Sequence, residues 1–329
     1  MNSSPSICYK AFAGVESKII YPIFIPALIL FILSIIGIPL NASFCYITIK
    51  YRSKYSTLKS KTSKLLFINC IGEILSQKGT FYFFYISATG INFVPFNEAF
   101  KWQFLPLFGG CVAFSILMSI SLDRLFAVSF PIFYQNIKTT KHMTAHIILL
   151  STITSLVCAL MFEKYNETLN VCGLPPEMIM IMTNPLIYII QTFILSVTII
   201  SYICVAILVK IKTDLTNEKM KKFNRSIFLI VLFNVSSYIL GSIIFNIVNN
   251  FQEITPTLEW YSVILGTIYV NIGIVGIAPI VYINSSDYRK AYHEEFRKLL
   301  KLIKRNNQVN VPINNIVVMK GPQIRQNRV

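Results

Sequence analysis

The sequence predicts an all-α membrane protein: a bundle of seven transmembrane helices, N-terminus outside, followed by a short amphipathic helix lying on the membrane surface. Three observations carry this. The 329 residues are 54% apolar and 13% charged, with a mean hydropathy of +0.60, whereas a soluble domain carries roughly 25% charged residues. Seven stretches are long and apolar enough to cross a bilayer. The basic residues gather on one side of those stretches.

A bilayer core about 30 Å thick takes roughly 20 mostly apolar helical residues to cross. Stretches of that kind run at Ile19–Ile49, Leu65–Ile86, Phe104–Phe126, Met143–Phe162, Met178–Val209, Ile227–Val248 and Trp260–Ile283. They are unbroken and lack the short alternating segments of a membrane barrel. The first 18 residues lack a basic head followed by a short apolar stretch, so the first span reads as an uncleaved anchor. The expected organisation is an outer tail over 1–18, the bundle over 19–283, a surface helix over 284–304 and a basic, unstructured tail over 305–329.

The chain holds 30 Lys+Arg against 14 Asp+Glu, net +16. With the N-terminus outside, 25 of the 30 basic residues fall in the inner loops and tail, which total +19, and the outer segments total −3. The positive-inside rule counts Lys and Arg in short loops. It therefore gives a multi-pass plasma-membrane protein with a cytoplasmic C-terminus, and excludes nucleic acid as the reason for the charge. Asn2-Ser3-Ser4 and Asn166-Glu167-Thr168 are glycosylation acceptor patterns on the expected outer side, although such triplets also arise by chance.

Seven helices with short loops leave no room for a soluble catalytic domain, so no enzyme and no cofactor are expected. Transporters are often built from paired halves, and channels from rings of polar or charged groups; neither pattern is visible. A receptor between an external ligand and an internal partner remains, with a transporter or channel as the alternative class.

The end of the third span reads Ser119-Ile120-Ser121-Leu122-Asp123-Arg124, then Ala127-Val128, Pro131 and Tyr134. This resembles the Asp-Arg-Tyr region of rhodopsin-like G-protein-coupled receptors. The stretch Arg52–Glu73 is similar to the same region of the nematode serpentine chemoreceptors of the Srsx family, and the resemblance covers about residues 19–296. It implies a rhodopsin-like bundle that binds a small-molecule or peptide ligand outside and activates a heterotrimeric G protein inside. A neuropeptide receptor of the same fold is barely separable from a chemosensory one.

The resemblance assigns the activation switch to Asp123, Arg124, Pro131, Tyr134, Pro279 and Tyr282. An unpaired buried Arg is costly, so Asp123 is expected to hold Arg124 in the resting state. Ala278-Pro279-Ile280-Val281-Tyr282 looks like the family's Asn-Pro-x-x-Tyr switch with its Asn replaced. Asn41 and Glu73 match a polar, sodium-binding core. The family's acid there is Asp, and the extra methylene of Glu73 alters the cavity, so no metal is assigned. Tyr288, Tyr292, Phe296, Leu299, Leu300 and Ile303 follow helical spacing with basic residues between them, the pattern of an interfacial helix.

Departures are equally visible. The sixth span lacks the family's Trp and Pro, and Ala99 stands where the third span's outer Cys is expected. Of seven cysteines, Cys8 and Cys172 are clearly outside, in oxidising surroundings. Their pairing is the expectation; two free thiols or a plunging loop is the alternative. Candidate pocket residues between the outer half-helices are Lys78, Tyr82, Tyr85, Pro106, Leu107, Gly110, Gln191, Tyr269 and Asn271. Amine receptors carry an Asp where Pro106 stands, which argues against a biogenic amine. Lys78 offers a cation for an anionic ligand, or a partner for Glu73 or another outer carboxylate.

Overall fold

Nine positions of the first long helix, Ile23, Ala27, Leu30, Ser34, Gly37, Asn41, Phe44, Thr48 and Tyr51, are buried. They step by four and three residues in strict alternation, so one stripe of a 3.6-residue helix faces its neighbours. That stripe includes Ser34, Asn41 and Thr48, whereas Ile25, Ile29, Ile32, Ile35 and Ile36 are exposed. Polar groups inside and isoleucine outside invert the pattern of a water-soluble helix. Lipid is the solvent that makes it stable, since helices in a bilayer associate through packing and polar contacts rather than by hiding apolar surface.

The computed structural model describes residues 6–162, 169–181, 185–211 and 255–309, with 229, 236, 239 and 240 as isolated positions. Its helices are α1 (Ile7–Phe12), α2 (Tyr21–Tyr51), α3 (Ser56–Lys59), α4 (Lys61–Thr89), α5 (Phe96–Ser129), α6 (Pro131–Asn136), α7 (Thr139–Phe162), α8 (Pro175–Ile181), α9 (Pro185–Ile211), α10 (Pro256–Asn284) and α11 (Ser286–Val309). Two short strands, β1 (Val94–Pro95) and β2 (Asn170–Val171), pair antiparallel with Val94 opposite Val171.

Five described helices are long and apolar enough to cross a membrane, namely α2, α5, α7, α9 and α10. The expected second span is α4, whose apolar run is interrupted by Glu73 and Lys78. Apart from those four isolated positions, the expected sixth span lies outside the described residues, as do Asn2, Asn166 and the tail beyond Val309.

Local signals set the boundaries. Ser60 caps α4, its hydroxyl accepting from the Ser63 amide at 3.1 Å, and Gly90 ends that helix at φ +77°, a left-handed conformation open to glycine. A Cβ at Gly90 would also strike the Lys18 carbonyl. Thr255 caps α10, with Pro256 in its first turn. The expected fifth span, Met178–Val209, begins too early. Met178 belongs to the separate helix α8, and α9 starts at Pro185, a residue suited to a first helical turn because it has no N–H to satisfy. Residues 6–18 of the expected outer tail are likewise described, with Ser6 capping α1 and Cys8 and Phe12 buried.

Helices α4 and α5 cross closely because two glycines meet. A Cβ on Gly72 would lie 3.0 Å from the Ala113 nitrogen and the Gly109 oxygen, and one on Gly109 would meet the Gly72 oxygen and Ser76 nitrogen at 2.8 Å. This backbone approach is what small residues permit in membrane bundles, and it fixes α5 beside the polar residues of α4.

Helix α11 leaves α10 at Ser285 and returns against α2 and α3. Tyr288 is fully buried, stacked on Phe44 with ring centroids 5.0 Å apart and hydroxyl 3.1 Å from that of Thr48. Asp287 accepts from the Thr57 hydroxyl at 2.7 Å, and Ser43 and Tyr292 hydroxyls lie 2.9 Å apart. Glu295 accepts from Lys50 and Tyr51, both at 2.7 Å, and those donors pull its carboxyl down to about 2. Phe296, Leu299, Leu300 and Ile303 remain exposed, forming an apolar face directed away from the bundle.

Candidate functional site

A dense polar cluster lies near the C-terminal end of α5. Asp123 is 1% exposed and Arg124 5%. Asp123 Oδ2 accepts from Arg124 Nη2 at 2.6 Å, Arg124 Nε at 3.0 Å and the Thr62 hydroxyl at 2.6 Å. Its Oδ1 accepts from the Tyr134 hydroxyl at 2.8 Å and faces His142 Nε2 at 3.2 Å. Four elements thus converge on one carboxylate: α4 through Thr62, α5 itself, α6 through Tyr134 and α7 through His142. Pro131 opens α6, and the single turn it starts carries Tyr134 back over Asp123. Burial, with the Asp123 carboxylate alongside, pushes the Tyr134 phenol up to about 12, so it remains a donor. Lys61 lies over the Tyr134 ring, 4.2 Å from its centroid, and donates to the Tyr134 carbonyl.

An unpaired buried Arg would be unstable, whereas a carboxylate with its remaining lone pairs satisfied compensates it. The cluster is therefore a lock that joins α4, α5, α6 and α7 while Arg124 stays inside. Sequence reasoning placed Asp123, Arg124 and Tyr134 here. It missed Thr62, in the first turn of α4 and three residues before the expected second span, and His142, one residue before the expected fourth. Both carry signals only in retrospect, as polar residues at the ends of apolar spans.

Pro279 and Tyr282 lie apart from this cluster. Tyr282 is half-buried, its hydroxyl 3.3 Å from His293 Nε2 and its ring edge-on to Tyr292 at 5.8 Å. It joins α10 to α11 rather than to Arg124.

A second polar group lies within the membrane-spanning part. Asn41 Nδ2 donates to the Ile274 carbonyl at 3.4 Å, linking α2 to α10. Glu73 is 3% exposed. Asn41 Oδ1, both amide atoms of Asn69 and Gln77, and the Ser119 hydroxyl are buried without a hydrogen-bond partner among the described residues. Lys78 does not pair with Glu73. Five residues apart on a helix, they point about 140° from each other, and Lys78 is exposed where Glu73 is buried.

The opposite end is closed by a cap. Cys8 and Cys172 are joined by a disulfide, Cα–Cα 6.2 Å, spanning 164 residues. Both pack with Phe12, Phe83, Leu174 and Trp260. Gln103 Nε2 donates to the Gly79 carbonyl at 2.9 Å and the Gly173 carbonyl at 2.6 Å, tying α4, α5 and the cap together. Gly173 adopts φ +79°, and a Cβ there would press on Ile86 and the Tyr82 ring.

Beneath this cap the candidate pocket residues separate. Tyr82, stacked on Trp102 at 6.1 Å, and Leu107 share an apolar cluster with Cys111, Met178 and Ile190. Pro106 is buried near Gly79, Gly110 lies against Ser76, and Gln191 is half-buried on α9. Asn271 is buried but donates back to the Thr267 carbonyl of its own helix at 2.9 Å, and Tyr269 is half-buried on the same helix. Lys78 and Tyr85 do not join the group, because both are exposed on the outward face of α4. The inward residue beside Lys78 is Gln77.

Glu177 of α8 is 2% exposed and accepts from the Cys172 amide at 3.0 Å. Burial lifts its carboxyl to about 7, against the pull of the Ser6 hydroxyl and neighbouring amides. A carboxyl raised in the folded state stabilises it fully below the unfolded value near 4.5 and progressively less as pH climbs through 7. Stability should therefore fall by up to about 3 kcal/mol over that window. Thermal unfolding of the purified chain between pH 4.5 and 8 should show this slope, and Glu177→Gln should flatten it. Identical pH profiles for the two proteins would contradict the assignment.

The family model for the serpentine-type seven-transmembrane G-protein-coupled chemoreceptors called Srsx matches residues 31–296. No curated protein sequence matches significantly. Among solved structures, squid rhodopsin is similar in fold, with a TM-score of 0.57 and 12% sequence identity over 84% of this chain and 86% of that one. Together with the apolar helices, the match over most of the length establishes a multi-pass membrane protein of rhodopsin-like fold. The chain belongs to the Srsx family of seven-transmembrane G-protein-coupled chemoreceptors.

Proposed function

We propose that the chain sits with its disulfide-bonded cap outside the cell and its Arg124 end in the cytosol. There it converts binding of an external small molecule or peptide into activation of a heterotrimeric G protein. The observation that carries this reading is the Asp123 lock: a permanent cation held inside by a carboxylate whose other partners come from three separate elements. A ligand that binds the opened arrangement better than the resting one shifts the population between them. Opening separates those elements and frees Arg124 for the G protein. The one-sided distribution of Lys and Arg supports the orientation and supplies a basic face for anionic lipid.

The test is a ligand screen in cells reporting G-protein activation, run in parallel with Arg124→Ala. The expected result is a ligand response that the substitution abolishes while surface expression persists. A ligand-evoked ion flux or current, unchanged by Arg124→Ala and without nucleotide exchange, would instead identify a channel or transporter.

A further inference from the structure

The lock contains a second chemistry that the receptor reading does not use. His142 and His146 lie one helical turn apart on α7, with ring centroids 4.5 Å from each other. His142 Nε2 is 3.2 Å from Asp123 Oδ1, and one ligand atom from each of Asp123, His142 and His146 lies within 4.8 Å of the other two. His142 is buried and its Nδ1 has no hydrogen-bond partner among the described residues. We propose that His142, His146 and Asp123 form a binding site for a divalent transition-metal cation of the zinc type, bridging α5 and α7.

The ligand set fits that class of ion. Two histidines four residues apart on a helix present their rings to one point, the arrangement that holds zinc on helices. Two imidazoles and one carboxylate with an open fourth position form a known zinc coordination set. Metal–ligand bonds of about 2.1 Å in a tetrahedron put ligand atoms roughly 3.4 Å apart. The His142–Asp123 separation already matches that spacing, and His146, half-buried at the helix surface, closes the remainder by rotating its side chain. Nδ1 of His142 can carry the ring proton while Nε2 offers its lone pair to the metal. The Tyr134 hydroxyl, 2.8 Å from Oδ1, or a water completes the shell.

Among the described residues, the cations Arg124 and Lys61 face this cluster. They oppose a hard ion that binds by charge alone, so magnesium and calcium are poor occupants. A borderline-soft ion gains its affinity from the neutral imidazole nitrogens. The metal uses Oδ1, and Arg124 keeps Oδ2, where its Nε and Nη2 already sit. Occupancy therefore clamps α7 to α5 without displacing Arg124 and holds the resting arrangement. That last consequence rests on the receptor reading; the binding does not.

The experiment is a titration of the purified full-length chain in detergent with cobalt(II), followed by its visible absorption, and with zinc, followed by thermal unfolding. Expected are a tetrahedral cobalt band, a rise in unfolding temperature with zinc, and no effect of magnesium. His146→Ala should weaken binding at least tenfold, and His142→Ala should do the same. The third histidine of the chain, His293, should be replaceable by Ala without effect. No cobalt band in the unsubstituted chain, or equal affinity after His142→Ala and His146→Ala together, would overturn the proposal whatever the signalling assays show.

Discussion

Replacing Asp123 by Ala should destabilise the folded chain by about 3–5 kcal/mol and raise G-protein activation in the absence of ligand. The two effects have one cause. Asp123 accepts from Arg124, Thr62 and Tyr134 and faces His142, so its removal leaves a buried guanidinium uncompensated and releases three neighbouring elements together. If the lock contributes only about 2 kcal/mol to the balance between resting and opened arrangements, its loss multiplies the opened population roughly 30-fold. Asp123→Asn is the milder test. Thr62 and Tyr134 donate to separate oxygens of Asp123, so the single amide oxygen of Asn keeps only one of these bonds and does not neutralise Arg124; this variant should lie between the unsubstituted chain and Asp123→Ala in both assays. Arg124→Ala should lose comparable stability and fall to baseline activity, because the group offered to the G protein is then missing. The double substitution should cost less than the sum of the two single ones, since a coupled pair is non-additive. Thermal unfolding in detergent and nucleotide exchange on reconstituted G protein measure the two arms. Equal basal activity for the unsubstituted chain and Asp123→Asn would mean that the carboxylate does not restrain opening.

The lock also shows what a sequence carries and what it does not. Asp123 and Arg124 are adjacent in the chain, and the motif around them is local, so both were legible, as was Tyr134 through its spacing. Thr62 and His142 enter from 61 and 19 residues away, and nothing in their own neighbourhoods marks them. The spans were legible because apolar length is a local property, and their ends were less so: Met178 lies within an apolar run yet belongs to α8. Lys78 was misplaced for a geometric reason. Reading it beside Glu73 treats sequence distance as spatial distance, whereas five helical residues turn a side chain to the far side. Gln77, one position earlier, lies against Gly37 in the interior. The cap was the least legible part, since its ordering depends on contacts among α1, the β1–β2 pair and α8, none of which is a strong element alone.

Breaking the Cys8–Cys172 bond should be the second large effect. In the chain-entropy view, a cross-link closing a loop of this length restrains the unfolded chain by about 5 kcal/mol. Spans that remain helical in the membrane after unfolding already limit that chain, so a loss of about 2–4 kcal/mol is expected. Cys8→Ser, Cys172→Ser and the double substitution should lower the unfolding temperature equally, because either single change removes the same bond. Cys111→Ala, at a free and half-buried thiol, should change it far less. A Cys8→Ser protein as stable as the unsubstituted chain would show that packing alone holds the cap. The reason to expect otherwise lies at Ala99. The resemblance leads one to expect the third span's outer cysteine at this position. Here Ala99 is fully buried beside Phe96, Phe100 and Val171, and the loop is attached in two ways. The Val94–Val171 ladder fixes it to the start of α5 through backbone hydrogen bonds, and the disulfide fixes it to α1, which packs on Trp260 of α10 through Phe12. The covalent tie therefore runs to the N-terminal segment instead of the third span. Its loss should free α1 and the adjoining edge of the cap first, while the ladder still holds the loop to α5. Hydrogen exchange should show that order as early loss of protection at residues 7–12, with Val171 protected until the bundle itself unfolds.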